Sequence, residues 1–146
     1  MAEQSSSMRS AKFLLVAGAA LFLVGLLQGA VVQSFANPRM ALSAHLTAVQ
    51  SGMAIMIVGL AWRFIRLPGV VSAIARWTIV LGMYGLWAAL TASAATGASR
   101  SLPMAGSGFQ ADRATELAVT VAIYTSSAAM TVGWLLFVAG LVRART

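Results

Sequence analysis

The sequence predicts an all-α protein built into a lipid bilayer as four transmembrane helices. Three observations carry this. Of 146 residues, 60% are hydrophobic and 9% charged, whereas a typical soluble domain carries about 25% charged residues. The mean hydropathy is +0.86. Four uncharged stretches account for most of the chain, and each exceeds the about 20 residues needed to cross roughly 30 Å of hydrocarbon.

Phe13–Pro38 is the first stretch, at 26 residues. It follows Arg9 and Lys12, as the core of a signal peptide would, but a signal core is only roughly 7–15 residues long. It is therefore read as a retained span. Met40–Trp62 is the second, with His45 counted as neutral, and Asn37-Pro38 separates it from the first because proline disfavours helix at the residue before it. Trp77–Ser99 is the third, reached through Leu67-Pro68-Gly69. Leu117–Val142 is the fourth, after a loop rich in glycine and serine from Ala98 to Gly108 that contains Pro103. None has a charged face, so none reads as a surface-lying helix. Trp62, Trp77 and Trp134 lie near span ends, where a half-wet indole is favoured. The expected organisation is a disordered cytoplasmic N-terminus (1–12), a single four-helix transmembrane domain (13–142) and a short cytoplasmic tail (143–146).

The formal net charge of +7 would suggest nucleic acid in a soluble protein. Here the cations lie between apolar runs and report topology instead. Arg9, Lys12, Arg63, Arg66, Arg76, Arg143 and Arg145 fall on one side, and Arg39, Arg100 and Arg113 on the other. The positive-inside rule puts both termini in the cytoplasm. The absence of cysteine excludes disulfides and thiolate metal sites.

Small residues recur at helical spacing, as in Gly25-xxx-Gly29 and Ala48-xxx-Gly52. Such pairs let backbones approach closely, either within the chain or between subunits. No Asp, Glu, Lys or Arg lies at a span centre, which argues against ion-coupled transport, voltage sensing and paired-carboxylate catalysis. The remaining intramembrane polar residues are few. Gln28, Gln33 and Gln50 suit interhelical hydrogen bonds. Tyr84 and Tyr124 suit packing with locally bonded hydroxyls, and Tyr84 has the alternative of a polar contact in a substrate pocket. The run Thr125–Ser127 suits back-bonding to its own helix.

His45 is the only histidine. Leu42, Ala48, Val49, Gly52 and Met56 share its helix face, which is apolar and concave at Gly52. Two readings stand side by side: an imidazole bonded to a neighbouring helix or to the headgroup region, and an imidazole directed at a flat apolar ligand. One histidine cannot build a zinc site, but a neutral imidazole can be the axial ligand of a haem, whose iron brings four ligands of its own.

The segment Asn37-Pro38-Arg39-Met40-Ala41-Leu42-Ser43-Ala44-His45-Leu46, followed by Gly52-Met53, resembles the signature region of hydroxylaminobenzene mutases, small four-span membrane proteins related to styrene oxide isomerase. The loop Gly97 to Gly106 resembles the mutases' loop after the third span. The resemblance implies a homotrimer with haem b between adjacent subunits and His45 as axial ligand beside Gly52. It implies an iron acting as a Lewis acid in a rearrangement without net redox change, here of an arylhydroxylamine to an aminophenol. Asn37 is then expected at the mouth of the site, and Ser51 and Tyr84 as polar contacts to a small aromatic substrate. Two positions depart from the pattern. Ser51 stands where the family generally has asparagine, and Tyr84 lies about two turns before the pocket tyrosine of the isomerase. The other readings are an isomerase of aryl epoxides and a non-catalytic haem-binding or structural membrane subunit. The expected location is the bacterial inner membrane.

Overall fold

The structure is a computed structural model that describes the backbone of residues 2–143 and the side chains of residues 7–143. The tail at 144–146, with Arg145, lies outside the described residues. Among them are four long helices: α1 (Ala2–Ala30), α2 (Pro38–Ala61), α3 (Gly69–Thr96) and α4 (Arg113–Arg143). All four are long and apolar enough to cross a membrane. Short 3₁₀ turns at Val32–Ser34 and Trp62–Phe64 follow α1 and α2.

The helix limits differ from the uncharged stretches in instructive ways. The first twelve residues, expected to be disordered, belong to α1 from Ala2 onward. No glycine or proline occurs before Gly18, so nothing in the sequence interrupts helix propagation there. At its other end α1 stops at Ala30, and residues 31–37 form the connection. Asn37 then starts α2. Its backbone is extended, its Oδ1 accepts from the Met40 N–H at 3.1 Å, and Pro38 occupies the first turn, where its missing N–H costs nothing.

Helix α3 begins directly after Pro68, so Arg76, expected in the loop, lies inside the helix. Its guanidinium donates to Ser10 Oγ on α1 and lies over the rings of Phe13 and Trp77. Gly97 ends α3 at φ 80°, the left-handed backbone that glycine adopts without a Cβ penalty. Before α4, Asp112 Oδ1 accepts from the N–H groups of Ala114 and Thr115. The Thr115 hydroxyl, then the Thr115 backbone, hold the Asp112 carboxyl below the usual range. This cap is therefore lost only when the pH falls through that lowered value.

The helices pack as two hairpins, α1 with α2 and α3 with α4, joined through α2 and α3. Helix α1 touches α3 lightly, and α4 packs chiefly on α3, meeting α2 only through side chains of the two apolar clusters. The expected bundle is thus an open one, and α4 is its least buried helix. One apolar cluster contains Leu14, Leu21, Ile55, Val58 and Ile79. The other, at the opposite end, gathers Met40, Ala41, Ala44, Leu90, Val119 and Ile123. Trp62, expected at the wet interface, is buried and stacks with Phe137 at 6.2 Å.

Small residues make the hairpins tight. A Cβ on Gly18 would lie 2.6 Å from the Gly52 carbonyl oxygen, and a Cβ on Gly52 would lie 2.6 Å from the Phe22 backbone nitrogen. Gly82 meets the Met130 backbone in the same way at 2.6 Å. Here the small-xxx-small spacing serves intrachain packing. It also corrects the expectation for Gly52: the concavity that was to receive a cofactor is filled by the backbone of α1. Gly52→Ala is expected to cost about 1–3 kcal/mol, because the clash is with backbone that cannot rotate away. The check is a lowered unfolding temperature of the detergent-solubilised protein.

Candidate functional site

His45 lies two turns into α2, directed at α1. Its Nδ1 is 2.7 Å from the carbonyl oxygen of Gly25. A carbonyl only accepts, so the proton belongs on Nδ1, and the lone pair belongs on Nε2. The ring lies on Gly29: a Cβ there would be 2.7 Å from Cε1 and 2.8 Å from Nδ1. The imidazole is therefore held by two glycines one turn apart on α1. Gly25 contributes a carbonyl and Gly29 the space left by its missing side chain.

The ring is half-buried and opens on a cavity of about 380 Å³ at the end of the α1–α2 hairpin, also lined by Gly29, Gln33, Arg39 and Leu42. Leu42 and Leu46, 49% and 46% exposed, flank the histidine on the outer face of α2. The lone pair of Nε2 thus belongs to a partly open surface on which the apolar Leu42 meets the polar Gln33 and Arg39.

The other expected site residues do not gather around it. Ser51 is buried and, six residues on, lies about 120° around the helix from His45. Tyr84 donates its hydroxyl to the Ala17 carbonyl at 2.7 Å and meets Trp87 edge-on. Ala17 is eight residues from Gly25, about 12 Å along α1. Tyr84 therefore ties α3 to α1 well away from the imidazole, and the packing reading is the one realised. Tyr124, expected to pack, is exposed on α4.

Asn37 is fully buried. Besides capping α2 through Oδ1, its Nδ2 donates to the Ala105 carbonyl at 3.0 Å, and its backbone N–H donates to the Ala94 carbonyl at 2.9 Å. These bonds join the α1–α2 connection to the end of α3 and to the loop before α4. The expected placement of Asn37 at a site mouth is corrected to a clamp whose amide is already spent on the protein.

Gln28 behaves as expected for an interhelical glutamine. Its Nε2 donates to Thr91 Oγ1 at 3.1 Å, and its Oε1 accepts from Trp87 Nε1 at 2.7 Å. Glu116, which sequence reasoning did not single out, organises the 97–112 loop. Its buried carboxylate accepts from the backbone N–H groups of Ser99, Arg100 and Ala111 at 2.9–3.2 Å. Gly25, Gly29 and Arg39 were also missed as parts of the His45 site. No cluster of three or more His, Asp or Glu side chains suited to a metal ion occurs among the described residues.

Comparison with known proteins adds a second line. The family model for styrene oxide isomerase matches residues 10–142. Hydroxylaminobenzene mutase HabA of Ectopseudomonas oleovorans is 30% identical over 132 residues, covering 90% of this chain and 98% of that protein. Hydroxylaminobenzene mutase HabB of the same organism is 37% identical over 123 residues, covering 84% of this chain and 75% of that protein. No solved structure matches the chain.

Proposed function

The chain belongs to the styrene oxide isomerase family, which makes it an intramolecular isomerase or mutase, and from that premise we propose that it converts an arylhydroxylamine to an aminophenol inside the membrane with the help of haem b. The names of its relatives favour the hydroxylamine over an aryl epoxide. The single observation that carries the haem reading is the hydrogen bond from His45 Nδ1 to the Gly25 carbonyl. Metal-ligating histidines characteristically donate their other ring N–H to such an acceptor, which fixes the tautomer and the ring plane.

The residues fit the group. Nε2 of His45 would hold the iron, and the outer face with Leu42 and Leu46 would accept the apolar macrocycle. Bound there, haem would supply Lewis-acid chemistry to the substrate's oxygen. Gly25 and Gly29 restrain the His45 ring on two sides, so that Nε2 would be presented in one orientation. Leu42 and Leu46 exclude water from the same face and favour an aromatic substrate. The rearrangement itself is balanced without a redox partner: the N–O bond breaks, a ring C–O bond forms, and a proton leaves the ring carbon while nitrogen gains one. Ser51 and Tyr84, packed elsewhere in this chain, take no assigned part.

The proposal includes a homotrimer in the bacterial inner membrane with both termini cytoplasmic. The open bundle, in which α4 packs chiefly on α3 and is the least buried helix, supports a further subunit covering the outer faces.

The test is made on protein purified in detergent. The wild type is expected to show a Soret band and to convert phenylhydroxylamine to aminophenol faster than it isomerises styrene oxide. His45→Ala is expected to lose both the band and the turnover. A wild type that takes up no haem overturns the cofactor, and full haem content in His45→Ala moves the ligand elsewhere. Turnover of styrene oxide alone reassigns the substrate class.

A further inference from the structure

We propose that Arg39 is an anion clamp for the carboxylate edge of the planar cofactor held by His45, so that the cofactor stands with its acidic edge toward the N-terminal end of α2. This rests on the reading of His45 as the haem ligand. Four observations carry it. Arg39 and His45 line the same cavity. They are six residues apart on one helix, about 9 Å along its axis, comparable with the span from the centre of a porphyrin to its carboxylate edge. Arg39 is exposed at the cavity mouth, and its Nη2 donates to the Ser107 carbonyl at 2.7 Å, which steadies the guanidinium while leaving other N–H donors available.

The fourth observation is charge. No described carboxylate neutralises Arg39: Asp112 is bonded to Ala114 and Thr115, and Glu116 to Ser99, Arg100 and Ala111. Arg39 also lies at the end of the bundle opposite the majority of the cations, so the positive-inside rule does not account for it. A cation at the lip of a cavity lined by both polar and apolar groups, pinned on one side and open on the other, suits a carboxylate taken in a charge-assisted or bidentate bond. An apolar macrocycle with an acidic edge satisfies both parts of the cavity at once.

The experiment titrates haem-free protein with haemin and with haemin dimethyl ester, which keeps the macrocycle and iron but lacks free carboxylates. The wild type is expected to bind haemin about tenfold or more tighter than the ester, the weight of a charge-assisted hydrogen bond. Arg39→Ala is expected to lose that margin, binding haemin no better than the ester, with ester affinity unchanged. Arg39→Lys is expected to recover part of it. Equal affinity of the wild type for haemin and ester overturns the clamp, and this holds even if Arg39→Ala fails to fold. Equal weakening of both ligands in Arg39→Ala also overturns it, and so does unchanged haemin binding. Failure of the underlying reading is distinct: the wild type then binds neither ligand, or His45→Ala binds both as well as the wild type.

Discussion

Gly29→Ala is expected to leave the protein folded and to cut its haem content at least tenfold. The new methyl group would lie 2.7 Å from Cε1 and 2.8 Å from Nδ1 of His45, closer than carbon atoms approach. The helices themselves are held together below this point by Gly25 against Ala48 and Val49, and by Gly18 against Gly52. The side chain is the part free to move, so the imidazole turns away. Its hydrogen bond to Gly25 is then lost, and with it the restraint that presents Nε2. The size of the effect follows from losing both ligand orientation and the acceptor behind it, since such acceptors are worth roughly 10–100-fold in metal affinity. Haem-to-protein ratio by absorbance measures it, with circular dichroism and gel filtration as controls for folding. Added imidazole is expected to restore part of the spectrum by replacing the displaced ring. Wild-type haem content in Gly29→Ala would show that the ring does not depend on this support.

Asn37→Ala is expected to destabilise the fold by about 2–4 kcal/mol. Loss of the helix cap contributes about 1 kcal/mol, and leaving the buried Ala105 carbonyl without its donor contributes roughly 1–3 kcal/mol. The backbone bond to Ala94 survives in alanine, which sets the upper end. Asn37→Asp keeps the cap oxygen but removes the amide donor, so it separates the two parts. Thermal unfolding in detergent reads the total. The haem content of the folded fraction is expected to stay near wild type, because Asn37 is spent on the fold. A selective loss of turnover at unchanged stability would return Asn37 to the active site.

The four spans could be read directly from the sequence, because charge is excluded from a hydrocarbon core and the uncharged runs mark it. Their ends were less legible. Arg76 looked like loop by charge alone, yet Ser10 and two aromatic rings accommodate it within α3. His45 was found because it is unique and intramembrane, whereas its supports are glycines, which carry no chemical signal of their own. One signal was available. In an antiparallel helical hairpin, facing positions keep a nearly constant sum of residue numbers. Gly25 with Ala48, Gly52 with Phe22 and Gly59 with Leu14 all give 73 or 74, and the same rule points His45 at position 28 or 29. Ser51 and Tyr84 could not be placed this way. Which side of α2 faces α3, and where Tyr84 finds an acceptor, depend on how the second hairpin docks.

That division into hairpins bears on how the protein is made. Gly25, Gly29, Arg39 and His45 span only 21 residues of chain, and α1 and α2 alone bring them together. The imidazole is thus oriented by the first hairpin alone, with no contact required from α3 or α4. The later hairpin adds the clamp at Asn37 and the anchor at Ser107. A released chain ending at residue 67 is the form in which this independence becomes visible.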